Sequence, residues 1–346
     1  MKAKKSAVPQ KDSNEILDYL KNKIINLAES FQTEPSKIAE IIAFSSRFYN
    51  YSFRNKMLIF AKNPHATFVA SYKRWNDEFG CNITSGKGSS IKILKPVVAT
   101  LFHVPGSEKW TPLKMATKLE KEKIKTGEYE TKTYTRFKPV SIFDISQTDC
   151  PKENYPLFYS MGHSSKEQAG IYSQLKTFMQ EKGIGINEVD LQSISLRGNF
   201  VPALNSININ HLLEDTQKLS TLAHEIGHAL LHNNIDEDLP IQQKEFEADA
   251  FCIMLESEFG FPLTDTRKEH LAAHYKKIKD YNDAHSGHEN AVDILKSLDN
   301  VCEVYNSFIN EFQDYLNLDR EQGRAETQKE SSLLLEPIKE SREYEM

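Results

Sequence analysis

Two histidines and a glutamate in the segment 221–232 form the clearest chemical motif in the sequence. His224 and His228 are four residues apart and Glu225 directly follows His224, which is the H-E-x-x-H pattern. On a helix, residues i and i+4 lie on one face, so both imidazoles can bind the same metal ion. Glu225 would lie beside that ion, where it could accept a proton from a metal-bound water. The alternative is a buried helix that carries the two histidines by chance.

A second acidic motif follows and can complete the set of metal ligands. Glu245 lies seventeen residues after His228 in the sequence Lys-Glu-Phe-Glu-Ala-Asp-Ala-Phe. Catalytic zinc commonly has three protein ligands and an open position for water, so we predict a Zn²⁺ site made of His224, His228 and Glu245. Glu247 is a competing candidate for the third ligand. Asp249, one helical turn after Glu245, could accept a hydrogen bond from a ligand imidazole.

The remaining histidines are expected to have structural roles or to lie at the surface. His232, four residues after His228, is predicted to cap the C-terminal end of the motif helix. The longer pattern H-E-x-x-H-x-x-G-x-x-H is not present, because Leu231 and Asn234 stand where glycine and histidine are required. Four histidines in a later polar region are expected at the surface: His270, His274, His285 and His288.

Composition narrows the class of protein. The chain has 346 residues, which is enough for two domains with their own cores. It has four widely spaced cysteines and no C-x-x-C, so a disulfide framework or a cysteine metal site is not expected, and a reducing cytoplasmic compartment fits. Neither a signal peptide nor a membrane-spanning segment is expected, and we predict no membrane partner.

Charge is distributed unequally along the chain. Residues 1–140 contain 25 Lys and Arg against 13 Asp and Glu, whereas the rest contains 18 against 36. Such asymmetry indicates two domains with different partners, and nucleic acid is the first candidate partner for the basic one. The alternative is that the lysine-rich helices are only solvated.

The basic half changes from a helical to a strand pattern. Apolar spacing predicts helices at about 13–31, 36–48 and 52–60, and strands at 97–104 and 137–145. The polar stretch from about 105 to 136 is expected to be a solvent-exposed excursion between two paired strands.

Basic and aromatic side chains are mixed in this half, as single-stranded nucleic acid requires for its phosphates and unstacked bases. The candidate DNA-binding residues are Arg54, Lys73, Arg74, Trp75, Lys87, Lys92 and Lys95. The alternative for Trp75 and the neighbouring Tyr72 is that they anchor the core.

The first half resembles the N-terminal domain of ArdC-type antirestriction proteins. The motifs are Asn50–Ala61, Pro64–Ala70, Trp75, Gly86–Gly88 and Ile91–Pro96, and Phe137–Thr148 is similar to the closing strand of that domain. The resemblance implies a module that binds single-stranded DNA and is carried on conjugative elements.

The second half resembles the ImmA/IrrE-type zinc metallopeptidases. The motifs are Gly198–Phe200, Ile207–Ile209, Thr221–His232 and Glu245–Phe251. The resemblance implies that Glu245 is the third zinc ligand. The usual Leu-Leu-Met-Pro ending is replaced by Ile253–Ser257, a departure that affects the far side of the cleft.

Together the patterns predict an α+β protein. We expect a helical DNA-binding domain with a small sheet at 12–148, a linker at 149–160, a zincin-like (gluzincin) metallopeptidase domain with C-terminal helices at 161–318, and a polar tail at 319–346.

Three functions remain open from the sequence. The first is a zinc endopeptidase of a mobile element, acting on an unknown protein substrate and joined to a module for single-stranded or also duplex DNA. The second is a non-proteolytic protein that shields incoming DNA from restriction. The third is a repressor-cleaving regulator, which leaves the basic first half unexplained.

Overall fold

The computed structural model describes residues 13–48, 50–84, 86, 90–151, 165–192, 196–233, 239–285 and 291–333; at 13, 165–169 and 318–333 the description is of the backbone alone. The chain divides into two compact units, Met1–Tyr159 and Ser160–Met346. Each unit combines helices with a small sheet, so the predicted α+β class is confirmed. The predictions for residues 1–12, most of the linker, Lys87, His288 and the end of the tail lie outside the described residues.

The first unit begins with helices, as the apolar spacing predicts. Its elements are α1 (Ser13–Ser30), α2 (Ser36–Ser45), α3 (Phe53–Lys62), β1 (Val69–Ser71), α4 (Tyr72–Asp77), β2 (Ile91–His103), β3 (Trp110–Pro112), α5 (Lys118–Lys125) and β4 (Glu130–Asp144). Ser52 starts α3 by accepting a hydrogen bond from the Asn55 N–H. The Asn55 side chain then holds both backbone groups of Leu94 at 2.9 Å, which ties α3 to β2.

The sheet of the first unit is antiparallel in the order β1-β4-β2-β3. Strands β2 and β4 pair continuously from Ile91 opposite Ile142 to His103 opposite Glu130. Residues 130–136, which the sequence assigned to a polar excursion, are therefore strand. The prediction missed them because this part of β4 is exposed on both faces, so it lacks the apolar alternation that marks a half-buried strand.

Trp75 belongs to the core of the first unit. It is 1% exposed, packs with Ala70, Cys81 and Ile145, and donates its indole N–H to the Phe143 carbonyl at 3.0 Å. A ring in this position has no free face for a nucleic-acid base. The core-anchor alternative is correct for Trp75, and its inclusion among the DNA-binding residues is wrong.

The described residues of the second unit form five α-helices and three short strands. They are α6 (Ser165–Glu181), β5 (Gly185–Val189), β6 (Gly198–Val201), β7 (Ser206–Asn210), α7 (Asp215–Leu231), α8 (Ile241–Glu258), α9 (Asp265–Ala284) and α10 (Ile294–Leu333). Helices α7 and α8 pack against each other at Gly227, where a Cβ would lie only 3.0 Å from the Ala248 Cα. Glycine inside the motif therefore sets how closely the two helices approach.

The three strands are ordered β5-β7-β6, with β5 parallel and β6 antiparallel to β7. Strand β7 lies in the centre of this sheet and pairs on both sides, so it has no free edge for an extended peptide. Among the described residues, β6 is the edge strand beside α7.

Helix α10 closes the second unit from the side of α8. The apolar spacing predicted one or more helices here, and the buried side chains include Leu298, Val301, Phe308 and Phe312. None of the helices in the described part of the chain combines the length and apolar character needed to span a membrane.

Candidate metal centre

Helix α7 presents the H-E-x-x-H motif from a buried position. Its apolar residues Leu219, Leu222, Ala223, Ile226 and Ala229 are buried, which fixes the rotation of the helix. The helix starts with a reciprocal pair of hydrogen bonds between Glu214 and Gln217. The face that remains partly accessible carries both histidines of the motif, whose rings lie 4.8 Å apart between centroids.

Three side chains bring their donor atoms to the spacing that a metal ion requires. The two Nε2 atoms of His224 and His228 are 3.1 Å apart. Glu245, on α8, places one carboxylate oxygen 3.5 Å from the first and the other 3.6 Å from the second. Ligands bound tetrahedrally at about 2.0–2.1 Å lie about 3.3 Å from one another. The donors therefore fit a divalent metal ion, with two imidazoles and one carboxylate suited to zinc.

Asp249 lies behind His224, away from the proposed metal position. Its Oδ1 is 3.0 Å from His224 Nδ1, which leaves Nε2 of that ring for the ion. Asp249 is fully buried. Burial alone would raise the pKa of Asp249, but hydrogen bonds from His224 and His270 outweigh burial and hold the pKa well below its usual value. An ionised carboxylate here orients the imidazole and makes it a stronger ligand.

Glu247, the competing third ligand, faces a different set of partners. It is 1% exposed and accepts hydrogen bonds from Gln243 and Ser297. Its other oxygen lies 3.0 Å from His232 Nε2. His232 ends α7 as the sequence predicted, and its Nδ1 lies 3.1 Å from His228 Nδ1. Glu247 therefore contacts His232, which in turn contacts His228 on the side away from the candidate metal position. Glu245 is the carboxylate that faces this position.

Glu225 has the surroundings of a proton acceptor. It is 7% exposed, and its carboxylate accepts a hydrogen bond from the Phe200 backbone N–H of β6. Burial raises the pKa of Glu225 to about 7, against the opposing effects of His224 and of the Phe200 hydrogen bond. A carboxyl group with a pKa near neutrality can both accept and return a proton.

A cleft of about 660 Å³ opens beside these residues. Its lining includes Gly198 of β6, His224 and Glu225 of α7, and Arg267 and His270 of α9. Arg267 is held in place by Glu256, whose carboxylate accepts two hydrogen bonds at 2.6 and 3.1 Å. The cleft gives a ligand access to the face of α7 that carries His224 and Glu225.

His270 is exposed, as the sequence predicted, but it contacts Asp249, whereas His274 is buried and the surface prediction is wrong for it. His270 Nδ1 lies 2.6 Å from Asp249 Oδ2, and His274 is 7% exposed with its Nε2 3.6 Å from the same oxygen. The 2.6 Å contact between His270 and Asp249 is a hydrogen bond, because two ligands of one tetrahedral ion would lie about 3.3 Å apart. His270 and His274 are four residues apart, as are His224 and His228, and this spacing could have indicated that they share one face of a helix. His285 instead lies 2.8 Å from the Tyr281 carbonyl.

The candidate DNA-binding residues of α4 are already paired with acids. Arg74 binds Glu78 at 2.6 Å, and Lys73 lies 4.0 Å from Asp77. On β2, Lys92 donates to the Ser141 hydroxyl at 2.5 Å and Lys95 is exposed, while Arg54 is half-buried on α3. The structure therefore does not gather these residues into one free basic surface.

Substitution of Gly198 should disturb the cleft. In Gly198→Ala, the new Cβ would lie 2.6 Å from the Thr221 Cγ2 and 2.9 Å from the Asn208 carbonyl oxygen. Overpacking of this kind costs about 1–3 kcal/mol, so the midpoint of thermal unfolding of the second unit should fall by about 2–10 °C.

Thermal unfolding followed by circular dichroism or calorimetry measures this effect. Gly170→Ala is the matched control, because nothing lies within 4 Å of its Cβ position on α6. Equal midpoints for the two variants would contradict the tight contact at Gly198.

Comparison with known proteins identifies the domain that contains this centre. Residues 179–282 match the peptidase-family model described as the IrrE N-terminal-like domain. The matched residues lie in the second unit and include the ligand candidates on α7 and α8, and the match confirms the predicted resemblance of the second half.

A relative is found in Bacillus anthracis, the uncharacterized protein pXO2-81. It is 26% identical over an alignment of 340 residues that covers 93% of this chain. The chain spans only 55% of the length of that relative.

Two crystal structures of the antirestriction ArdC protein from the R388 plasmid are similar to this chain. The metal-free structure is 16% identical, with 75% of this chain and 83% of that chain covered and a TM-score of 0.43. The Mn(II)-bound structure is 18% identical, with 74% and 85% covered and a TM-score of 0.34.

Proposed function

We propose that the second unit is a metal-dependent peptidase whose ion is Zn²⁺, held by His224, His228 and Glu245. The main support is the cluster of donor atoms from these three side chains, with neighbouring donors 3.1 to 3.6 Å apart, beside the buried carboxylate of Glu225. The match to a peptidase-family domain over the same residues supports it independently. When bound, the ion would supply the Lewis acidity that lowers the pKa of water and polarises a carbonyl.

Glu225 would move the protons of the reaction. Its carboxylate accepts a proton from the attacking water while the oxygen forms a bond to the peptide carbonyl carbon. It then donates this proton to the amide nitrogen as the carbon–nitrogen bond breaks, so that a carboxylic acid and an amine leave. The Phe200 N–H would favour the ionised form of Glu225, since it lowers the pKa of this group.

An extended peptide would lie along β6. This strand is the edge of its sheet among the described residues, and its Gly198 lines the cleft beside Glu225. Edge strands bind extended peptides through main-chain hydrogen bonds. The place of a side chain at Gly198 is filled by Thr221 and the Asn208 carbonyl oxygen, so glycine allows the strand to lie this close to α7.

A second candidate function is binding of nucleic acid by the first unit. The excess of 25 basic over 13 acidic residues in 1–140 favours it, as does the resemblance of the motifs in this half to ArdC-type domains. In a non-proteolytic form of this function, the protein would coat incoming single-stranded DNA and shield it from restriction. The repressor-cleaving alternative leaves this basic half without a role.

A comparison of proteomes tests the peptidase proposal. Cells that contain the DNA to be protected would express the wild-type protein or Glu225→Gln, and new protein N-termini would be identified by mass spectrometry. We expect a set of cleavages with the wild type alone. Identical sets would contradict proteolysis. If Glu225→Gln still protects DNA, protection depends on shielding instead of peptide cleavage.

A further inference from the structure

The paired strands β2 and β4 extend beyond the core of the first unit as a two-stranded ribbon. All residues of β4 from 130 to 138 are exposed. Their partners on β2 run from Lys95, opposite Lys138, to His103, opposite Glu130. The ribbon thus exposes two faces on which side chains alternate along each strand.

One face of the ribbon is strongly basic. Residues directly opposite in an antiparallel pair share a face, and so do residues two apart on one strand. By this register, one face carries Lys95, Lys132, Tyr134, Arg136 and Lys138. The acidic residue of β4 on this face is Glu130, at the far end. The opposite face is neutral there, with Thr131, Thr133 and Thr135.

The basic side chains of this face have no acidic partners within the described residues. No ion pair involves Lys95, Lys132, Arg136 or Lys138 in that part of the chain, in contrast to Lys73 and Arg74 of α4. Their positive charges therefore remain available to a polyanion. This difference moves the candidate DNA surface away from α4.

An aromatic ring lies in the middle of the basic face. Tyr134 is 45% exposed, and its cross-strand neighbour is the small Ala99, so that neighbour leaves the ring largely uncovered. Lys132 lies with its Nζ 4.1 Å from the centre of the Trp110 ring on β3. This cation–π contact holds the ammonium group at the far end of the face.

We propose that this basic face of the β2–β4 ribbon binds single-stranded nucleic acid. The inference rests on the proposed nucleic-acid function of the first unit and assigns the surface that carries it. Lys132, Tyr134, Arg136 and Lys138 alternate along one strand about 7 Å apart, so a polynucleotide can contact several in series. Three cations neutralise phosphates while the Tyr134 ring stacks on an unpaired base, which a duplex keeps inside its helix.

Binding of a fluorescein-labelled 20-nucleotide oligo(dT) to the full chain tests the proposal by fluorescence anisotropy. The triple variant Lys132→Ala/Arg136→Ala/Lys138→Ala should bind at least about 100-fold more weakly, and its slope of log affinity against log salt should be smaller by about 2. Tyr134→Ala should bind about tenfold more weakly with the salt slope unchanged. All four side chains are exposed, so the thermal unfolding midpoint should stay at the wild-type value.

Two matched variants serve as controls. Lys118→Ala/Lys121→Ala removes two exposed lysines of α5, and Lys73→Ala/Arg74→Ala removes the paired cations of α4. Both should bind oligo(dT) within about threefold of the wild type, since long-range attraction alone is lost.

Each contrary result has a distinct meaning. If the wild type binds but the triple variant binds equally well, the ribbon assignment is overturned and nucleic-acid binding stands. If the wild type does not bind, both proposals fall. If poly-glutamate competes as well as unlabelled oligo(dT), the face binds an acidic protein, and if duplex DNA competes equally, the preference for single strands is wrong.

Discussion

His224→Ala should be purified with little metal, whereas the wild-type protein should contain about one divalent ion per chain. Removal of this imidazole eliminates one of three donors and leaves Asp249 without the ring that it orients. Loss of an outer hydrogen-bond partner alone commonly weakens metal binding by about 10–100-fold, and loss of a ligand costs more. Elemental analysis by mass spectrometry after gel filtration gives both the amount and the identity of the metal.

Matched substitutions distinguish the loss of a metal ligand from an unspecific effect of mutation on metal content. His211→Ala replaces an exposed histidine outside the centre and should retain the wild-type metal content. Glu245→Gln should lose metal as His224→Ala does, whereas Glu247→Gln should keep most of the metal in the protein that folds. Unchanged metal content in His224→Ala would rule out the proposed centre. If Glu247→Gln loses the metal and Glu245→Gln keeps it, the third ligand is Glu247 instead of Glu245.

Glu225→Gln should retain metal and lose peptide hydrolysis. The amide has nearly the shape of the carboxylate, but it cannot accept a proton from water. General acid–base groups contribute about 10²–10⁴-fold to rate, so turnover of a substrate found by the proteome comparison should fall by that factor. Cleavage rates would be measured on the purified substrate at equal metal occupancy.

The control for this variant is Glu181→Gln, which changes an exposed glutamate at the end of α6. It should cleave at the wild-type rate. A Glu225→Gln protein that is fully loaded with metal and equally active would show that another group moves the proton. A variant that loses its metal would instead indicate that Glu225 contributes to metal binding.

Local patterns predicted the helices and the main motif well, because helices depend on residues that are near in sequence. The spacing of apolar residues located α1 and the motif helix, and the i, i+4 rule placed His224 and His228 on one face. The same rule separates Glu245 from Glu247. Asp249 is four residues after Glu245 and shares its face of the helix, whereas Glu247 is two residues after Glu245 and points in another direction. In the structure Glu245 faces His224 and Glu247 faces His232.

Features that depend on distant pairing were not predictable from local patterns. The contact of His270 with Asp249 and the burial of His274 require α9 to lie against α8, and the polar surroundings of both residues in the sequence gave no sign of this packing. The exposed end of β4 has no apolar alternation, and its pairing with β2 defines it as strand. The central position of β7 likewise depends on both of its neighbours.

The most direct test of the proposed centre is a crystal structure of the purified protein with an anomalous difference map at the absorption edge of its metal. We predict one peak per chain, bound by His224 Nε2, His228 Nε2 and the Glu245 carboxylate at about 2.0–2.2 Å. No peak at this position, or a peak held instead by Asp249, His270 and His274, would contradict the account.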